Sequence, residues 1–422
     1  MLNAYIYAGL RTPFGRHAGG LAPVRPDDLI ADVIRELIAR TGVDGAAVDD
    51  LILGNTNQAG EDSRNIARHA VLLSGLPVTV PGQTVNRLCA SGLAAIVDAA
   101  RAVTCNEGEL FVAGGVESMS RAPFVMAKAE KAYSRDFTMY DSTIGARFPN
   151  PKIIEQFGND SMPQTGDNVA LEFGISREEA DTFAAASQAK FEAARQAGFF
   201  AEEIVPVSVP TGRKTPPSVI AEDEHPRPQS DMAALTKLRP LFEDGVVTAG
   251  NASGVNDGAA ALLIGSQAAG EKHGLKPMAR ILSAAVAGVE PRIMGVGPVE
   301  AINKALARAG LSLTDMDIIE INEAFASQVL GCLKGLHVAF DDPRVNPNGG
   351  AIAVGHPLGL PGRAWHCPPR ANCSAAASAT RSSACVSVSA RAWPWSSSAS
   401  EQNAVCSSEP GRRSFAPAVL KR

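Results

Sequence analysis

Three residues with reactive or hydrogen-bonding side chains stand in separate small-residue segments of this 422-residue chain. Cys89 lies in Asn86-Arg87-Leu88-Cys89-Ala90-Ser91-Gly92, after the β-favouring pair Thr84-Val85 and before a run that reads as a helix start. A thiol there meets unpaired backbone N–H groups and the positive end of the helix dipole, and both favour the nucleophilic thiolate. An isolated cysteine serves equally as a small buried hydrophobe. His356 closes Asn346-Pro347-Asn348-Gly349-Gly350-Ala351-Ile352-Ala353-Val354-Gly355-His356-Pro357-Leu358-Gly359, whose glycines permit close backbone approach; a lone histidine is also an ordinary core or surface group. Asn322 heads Asn322-Glu323-Ala324-Phe325-Ala326, directly after a buried strand. There α/β proteins place functional side chains, and there too an asparagine caps helices. Ala249-Gly250-Asn251-Ala252-Ser253-Gly254 continues into Val255-Asn256-Asp257-Gly258, a tight polar turn that fits either a ligand held by backbone and Ser253 or a plain surface loop. A thiol paired with an imidazole is the arrangement of an acyl-carrying nucleophile.

The elements that must position these groups alternate. Residues 4–8 read as a strand, Asp27 and Asp28 open an amphipathic helix that stops at Gly42, 51–54 is a buried strand, 66–73 a helix and 110–115 another strand. Such alternation predicts a mainly parallel sheet covered on both faces. Residues 121–247 change character. Polar segments containing Pro and Met surround one helix, 176–197, marked by the capping-box pair Ser176 and Glu179, and the whole reads as an inserted substrate-facing subdomain. Apolar runs then resume at 259–264, 279–287, 299–309 and 318–321. A weak repeat links Ala39-Arg40-Thr41-Gly42 and 50–55 with Ala307-Arg308-Ala309-Gly310 and 317–322: a helix end, a turn, then a strand ending in Asn. Two duplicated α/β halves with an insertion between them is the expected architecture.

A hydrophobic content of 45% with 20% charged residues describes a globular protein, and a net charge of −5 gives no reason to expect nucleic acid as a partner. No signal-like N-terminus and no apolar run of bilayer-spanning length is present, so the expectation is a cytoplasmic protein with no membrane partner, whose cysteines are thiols before they are disulfides. The average conceals a break. Residues 360–422 carry eight Lys or Arg against two acidic residues, a net of +6 that leaves −11 on the remainder. That tail also holds all three tryptophans and four of the seven cysteines.

Taken together the motifs resemble the thiolases, the acyl-CoA:acetyl-CoA acyltransferases. The resemblance rests on 86–92, Gly114-Gly115-Val116-Glu117-Ser118-Met119-Ser120, 250–258, 322–326 and 346–359, and extends over residues 1–359. It implies a layered αβαβα fold: a first half at 1–120 completed by 248–272, an inserted loop domain at 121–247, and a second half at 273–359. It also implies Cys89 as nucleophile, His356 as its base, and Asn322 (through a water) with His356 as donors to an enolate oxygen. Ala252, Ser253, Gly254 and Met162 would contact CoA or the acyl chain. CoA and acyl-CoA are substrates, no metal or other cofactor is needed, and a homodimer or homotetramer is implied. Finer motifs, Asn57-Gln58-Ala59-Gly60-Glu61-Asp62, 118–126, Thr143-Ile144-Gly145, 160–163 and Asp223-Glu224-His225-Pro226-Arg227-Pro228, resemble the branch that cleaves 3-oxoadipyl-CoA. A general acetyl-CoA acetyltransferase, or an inactive thiolase-like protein, are the alternatives.

One expected motif is missing. Thiolases use a second cysteine in a Cys-x-Gly segment near the C-terminus, and no cysteine of this chain is followed by that pattern. The tail reads as an out-of-frame translation. One permitted codon set for residues 384–398, read from its third base, gives Leu-Cys-Val-Gly-Val-Gly-Gln-Gly-Leu-Ala-Met-Val-Ile-Glu, a thiolase-like ending. A zinc site from His366, Cys367, Cys373 and Cys385 is the rival account of the tail, but its spacings match no standard ligand pattern. Little or no turnover, impaired folding and a second half lacking a central strand and helix are therefore expected.

Overall fold

The computed structural model describes residues 1–212 and 214–360, together with the backbone of two strands at 384–391 and 400–407. The chain opens with β1 (Ala4–Arg11) and α1 (Pro26–Thr41). Pro26 and the acidic pair Asp27 and Asp28 suit the first turn of α1, and Gly42, at φ 67°, ends it in the left-handed conformation. There follow β2 (Asp50–Gly54), α2 (Ile66–Ser74), β3 (Gly82–Val85), α3 (Ser91–Thr104) and β4 (Leu110–Ser118).

The excursion holds α4 (Pro151–Phe157), α5 (Met162–Phe173) and α6 (Arg177–Gln196). The helix expected at 176–197 is α6, with the capping box closed in both directions: Glu179 N donates to Ser176 Oγ at 3.1 Å, and Ser176 N to Glu179 Oε2 at 2.7 Å. Helices α4 and α5 were not expected. The start of α5 carries the same signal in Ser161 and Gln164, obscured by Pro163, which a first turn tolerates. Then come β5 (Asn256–Gly265), β6 (Ala279–Ala285), α7 (Gly297–Ala309), β7 (Ile318–Ile321), α8 (Ala326–Gly335), α9 (Ala351–Val354), β8 (Ala384–Arg391) and β9 (Ser400–Ser407).

One ten-stranded sheet runs β7-β8-β9-β6-β1-β5-β4-β2-β3, with Gly15–Arg16 added against β5. The expectation of a mainly parallel sheet is corrected. Only β2/β3, β2/β4 and β7/β8 are parallel, while β1/β5, β4/β5, β1/β6, β6/β9 and β8/β9 run antiparallel. Strand–helix–strand crossovers favour parallel neighbours, and before the excursion only β2, β3 and β4 pair with one another across such crossovers. After the long excursion, β5 inserts between β1 and β4, opposite in direction to both.

The pairing pattern repeats: β2 parallel to β4, β4 antiparallel to β5 and β5 antiparallel to β1 are matched by β7 with β8, β8 with β9 and β9 with β6. Even the β2/β3 edge has a counterpart in a parallel bridge from Ile319 to Val345. The tail therefore supplies the inner strands β8 and β9 to the second half, which corrects the expectation that a central strand is missing. The apolar–polar alternation of Val386-Ser387-Val388-Ser389 suits a strand. Period-two alternation also divides the core around the first half. Leu51, Leu53, Val112, Ala261 and Leu263 face α1 and α2, while Ile52, Ala113, Ala260, Leu262 and Ile264 face α3. The third cluster joins α7, α8 and β7.

Candidate active site

Cys89 sits two residues before the first residue of α3, as its sequence context predicts, and is 2% exposed. The turn that presents it is unusual: Leu88 has φ 51°, a left-handed conformation costly for a branched side chain. Flanking side chains hold it there. Leu88 N donates to Asn86 Oδ1 at 2.9 Å, Arg87 N to Ser91 Oγ at 2.8 Å, and Ser91 Oγ to Leu88 O at 2.5 Å. Asn86 and Ser91 thus fix the thiol from both sides.

His356, 6% exposed, places Nε2 2.8 Å from Cys89 Sγ and 3.3 Å from Asn322 Nδ2. The three residues singled out for chemistry therefore converge on one ring nitrogen. Asn256 secures the histidine's backbone: its Oδ1 accepts from His356 N at 2.8 Å, and its Nδ2 donates to Gly15 O at 2.9 Å. Strand β4 and the segment carrying the imidazole pack backbone to backbone, so a Cβ on Gly115 would sit 1.9 Å from the Gly359 carbonyl oxygen. Only glycine fits.

A buried carboxylate ties Asn322 to the histidine segment. Glu323 accepts from Ser187 Oγ at 2.6 Å, Asn346 Nδ2 at 2.8 Å and Ile352 N at 3.1 Å, the last in the first turn of α9. Asn346 also brackets β7, its Oδ1 accepting from Ile321 N and its Nδ2 donating to Ile321 O, both at 2.8 Å. Removing Glu323 strands several buried donors, so Glu323→Ala should destabilise the fold by about 3 kcal/mol or more. Urea unfolding checks this; an unchanged midpoint would remove Glu323 from the positioning role.

Ser253 N donates to Ala324 O at 2.9 Å, and Ala252 forms an antiparallel bridge with Phe325, which sets the 252–254 loop beside the Asn322 motif. Behind it lies His225, where a Cβ on Gly254 would meet the ring at 2.3 Å; burial, with Arg227 nearby, pushes this imidazole down to about 4. Met162, in contrast, packs with Met294 and Val289 in a cluster of its own at the start of α5. A cavity of about 220 Å³ opens next to the thiol's turn, lined by Leu88, Asn86, Thr56, Met119, Arg147 and Leu358. Glu117 braces its wall, accepting from Thr56 N at 3.0 Å, Thr56 Oγ1 at 2.5 Å and Asn57 N at 3.1 Å. Burial pushes the Glu117 carboxyl up to about 7 against those bonds. Among the described residues no cluster of His, Cys, Asp or Glu could hold a metal ion. The zinc alternative falls on residues outside the described ones, apart from the backbone of Cys385.

An α/β fold with a duplicated sheet and a thiol, an imidazole and an amide gathered at one nitrogen defines a covalent acyl-transfer site. The chain belongs to the thiolase family: the model of the thiolase N-terminal domain matches residues 4–268, and that of the thiolase C-terminal domain residues 275–367. Among its relatives, the β-ketoadipyl-CoA thiolase of Pseudomonas aeruginosa is 57% identical over 362 residues, 85% of this chain and 90% of that protein. The 3-oxoadipyl-CoA/3-oxo-5,6-dehydrosuberyl-CoA thiolase of Escherichia coli is 56% identical over 86% of this chain and 90% of that protein. The solved human mitochondrial 3-ketoacyl-CoA thiolase in complex with CoA superposes with a TM-score of 0.84 at 36% identity, covering 97% of this chain and 98% of that one.

Sequence reasoning placed Cys89, His356 and Asn322 but assigned no role to Glu323, Asn346, Asn256 or Glu117. All four lie inside the recognised motifs. Their signal was an acidic or amide side chain within an otherwise small, apolar segment.

Proposed function

We propose that this chain is an acyl-CoA C-acyltransferase whose substrate is 3-oxoadipyl-CoA. Cys89 attacks the 3-keto carbon, and His356 Nε2 takes the thiol proton. The C2–C3 bond breaks to release the acetyl-CoA enolate, and a succinyl group remains on Cys89. Asn322 and His356 stabilise the enolate oxygen, each such preorganised donor contributing about 3 kcal/mol. Free CoA then accepts the succinyl group, giving succinyl-CoA. The loop Ala252, Ser253 and Gly254 contacts the pantetheine arm, and the 121–247 insertion, Met162 included, shapes the acyl side between the halves at 1–120 with 248–272 and 273–359. CoA enters and leaves as a substrate.

The observation that carries this reading is the 2.8 Å contact between Cys89 Sγ and His356 Nε2, in a chain 57% identical over 85% of its length, and 56% over 86%, to thiolases named for this substrate. A second copy of the chain is the expected partner. The hairpin of Phe124–Met126 and Met139–Asp141 leaves Phe124, Met126 and Met139 uncovered, which supports a dimer or tetramer. No described helix is long and apolar enough to cross a membrane, which is compatible with a cytoplasmic location.

Acylation of the full chain tests the reading. Succinyl-CoA should add its acyl group to the Cys89 peptide, seen by mass spectrometry, faster than acetyl-CoA does. Faster acetylation would reassign the chain as an acetyl-CoA acetyltransferase.

A further inference from the structure

The substrate proposed above differs from an unbranched 3-oxoacyl-CoA by a free carboxylate at the far end of its acyl chain. Burying that charge next to the thiol requires a cation or several donors. We propose that Arg147 is the residue that reads this carboxylate and sets the acyl specificity; the inference rests on the 3-oxoadipyl-CoA reading.

Arg147 lines the 220 Å³ cavity together with Leu88, the chain neighbour of Cys89, and Leu358, two residues beyond His356. Chain neighbours of both reactive residues and a guanidinium thus line one cavity. No acidic side chain lines it; its other polar residues are Thr56, Asn57, Asn86, Ser142 and Thr143, all neutral donors or acceptors. The nearest carboxylates are engaged elsewhere. Glu117 accepts from Thr56 and Asn57 behind the wall, and Asp141 Oδ1 accepts from Thr143 N at 2.8 Å.

Arg147 is the cation of this cavity, and among the described residues it makes no ion pair. It is nevertheless held in place. Its Nη1 donates to Ser142 O at 3.1 Å, and that buried serine is itself fixed by Asn57 Nδ2, which donates to Ser142 O at 3.1 Å, and by its own Oγ, which donates to Pro123 O at 2.6 Å. One N–H of the planar fork is used for anchoring, and the remaining donors are left for a ligand. A guanidinium anchored in this way is matched to a carboxylate in both charge and shape.

The test compares acylation of Cys89 by succinyl-CoA and by butyryl-CoA, which have the same thioester and differ in the terminal carboxylate. In each case the thiolate forms a new C–S bond, the bond to CoA breaks, and the CoA thiolate takes the proton. Intact-mass kinetics on the full chain should give a succinyl-to-butyryl rate ratio well above one. Arg147→Met should lower that ratio about 10- to 100-fold, and Arg147→Lys should restore part of it. General damage to the fold slows both esters and leaves the ratio unmoved. So does loss of a contact from Arg147 to a CoA phosphate, and an unmoved ratio would overturn the assignment while leaving the substrate reading intact. A wild-type ratio at or below one, or no acylation by either ester, would overturn both.

Discussion

Given succinyl-CoA and labelled free CoA, the full chain is expected to exchange the label while cleaving 3-oxoadipyl-CoA at least about 10³-fold more slowly than an in-frame variant, one whose residues 360–422 are replaced by the thiolase-like ending that the proposed frameshift implies. The two reactions make different demands. Acyl exchange needs a nucleophile and a group to move its proton, and Cys89 and His356 stand 2.8 Å apart. Carbon–carbon cleavage also needs an acid to protonate the departing enolate. By resemblance, thiolases supply it from the cysteine of Cys-x-Gly, whose glycine N–H also shares in holding the thioester oxygen. In this chain Cys385 is followed by Val386 and Ser387, and no other cysteine is followed by the motif. A general acid contributes about 10² to 10⁴ and an oxyanion donor about 10² to 10³, so losing both leaves little turnover.

The backbone sharpens this expectation. Strands β8 and β9 occupy the inner positions of the second half, with Ile318 of β7 in register with Cys385. A chain that keeps its strands yet lacks the chemistry should separate the two activities rather than lose both. An in-frame variant whose Cys-x-Gly cysteine is changed to serine should lose the general acid's share of about 10² to 10⁴ yet stay faster than the full chain, because it keeps the glycine N–H. Equal cleavage rates for the full chain and the in-frame variant would show that the second cysteine is dispensable here, and sequencing the coding DNA around the Gly359 codon tests the frameshift itself.

What could be read from the sequence follows from what is local. The ends of α1 were visible because Asp27, Asp28 and Gly42 act within one turn of the backbone. The segments bearing Cys89, Asn322 and His356 were visible because small residues cluster where backbones must approach, as at Gly115 and Gly359. Strand direction was not visible. Nothing in the apolar run 259–264 states that β5 will lie between β1 and β4 and run against both, since this depends on where the chain re-enters after 121–247. The buried polar braces were equally hidden. Glu323 reads as an exposed acid until Asn346, Ser187 and the start of α9 are known to surround it, and those partners are separated from it by up to 136 residues.

His356→Ala should slow both acylation of Cys89 by succinyl-CoA and its alkylation by iodoacetamide by about 10²- to 10⁴-fold, and Cys89→Ala should abolish labelling at this peptide altogether. The magnitude turns on what else favours the thiolate. Cys89 stands just before α3, where the helix dipole contributes only about 1 kcal/mol, and it is almost fully buried. With the helix end contributing so little, His356 at 2.8 Å is the group placed to take the thiol proton. The imidazole is held for that task by Asn256 at its backbone and by Asn322 at its ring. Asn256→Ala should therefore slow alkylation by a smaller factor, because it loosens the loop without removing the base. CoA esters should protect wild-type Cys89 against iodoacetamide and leave exposed Cys105 unprotected. Alkylation of Cys89 at an unchanged rate in His356→Ala would mean that the 2.8 Å contact is packing rather than proton transfer.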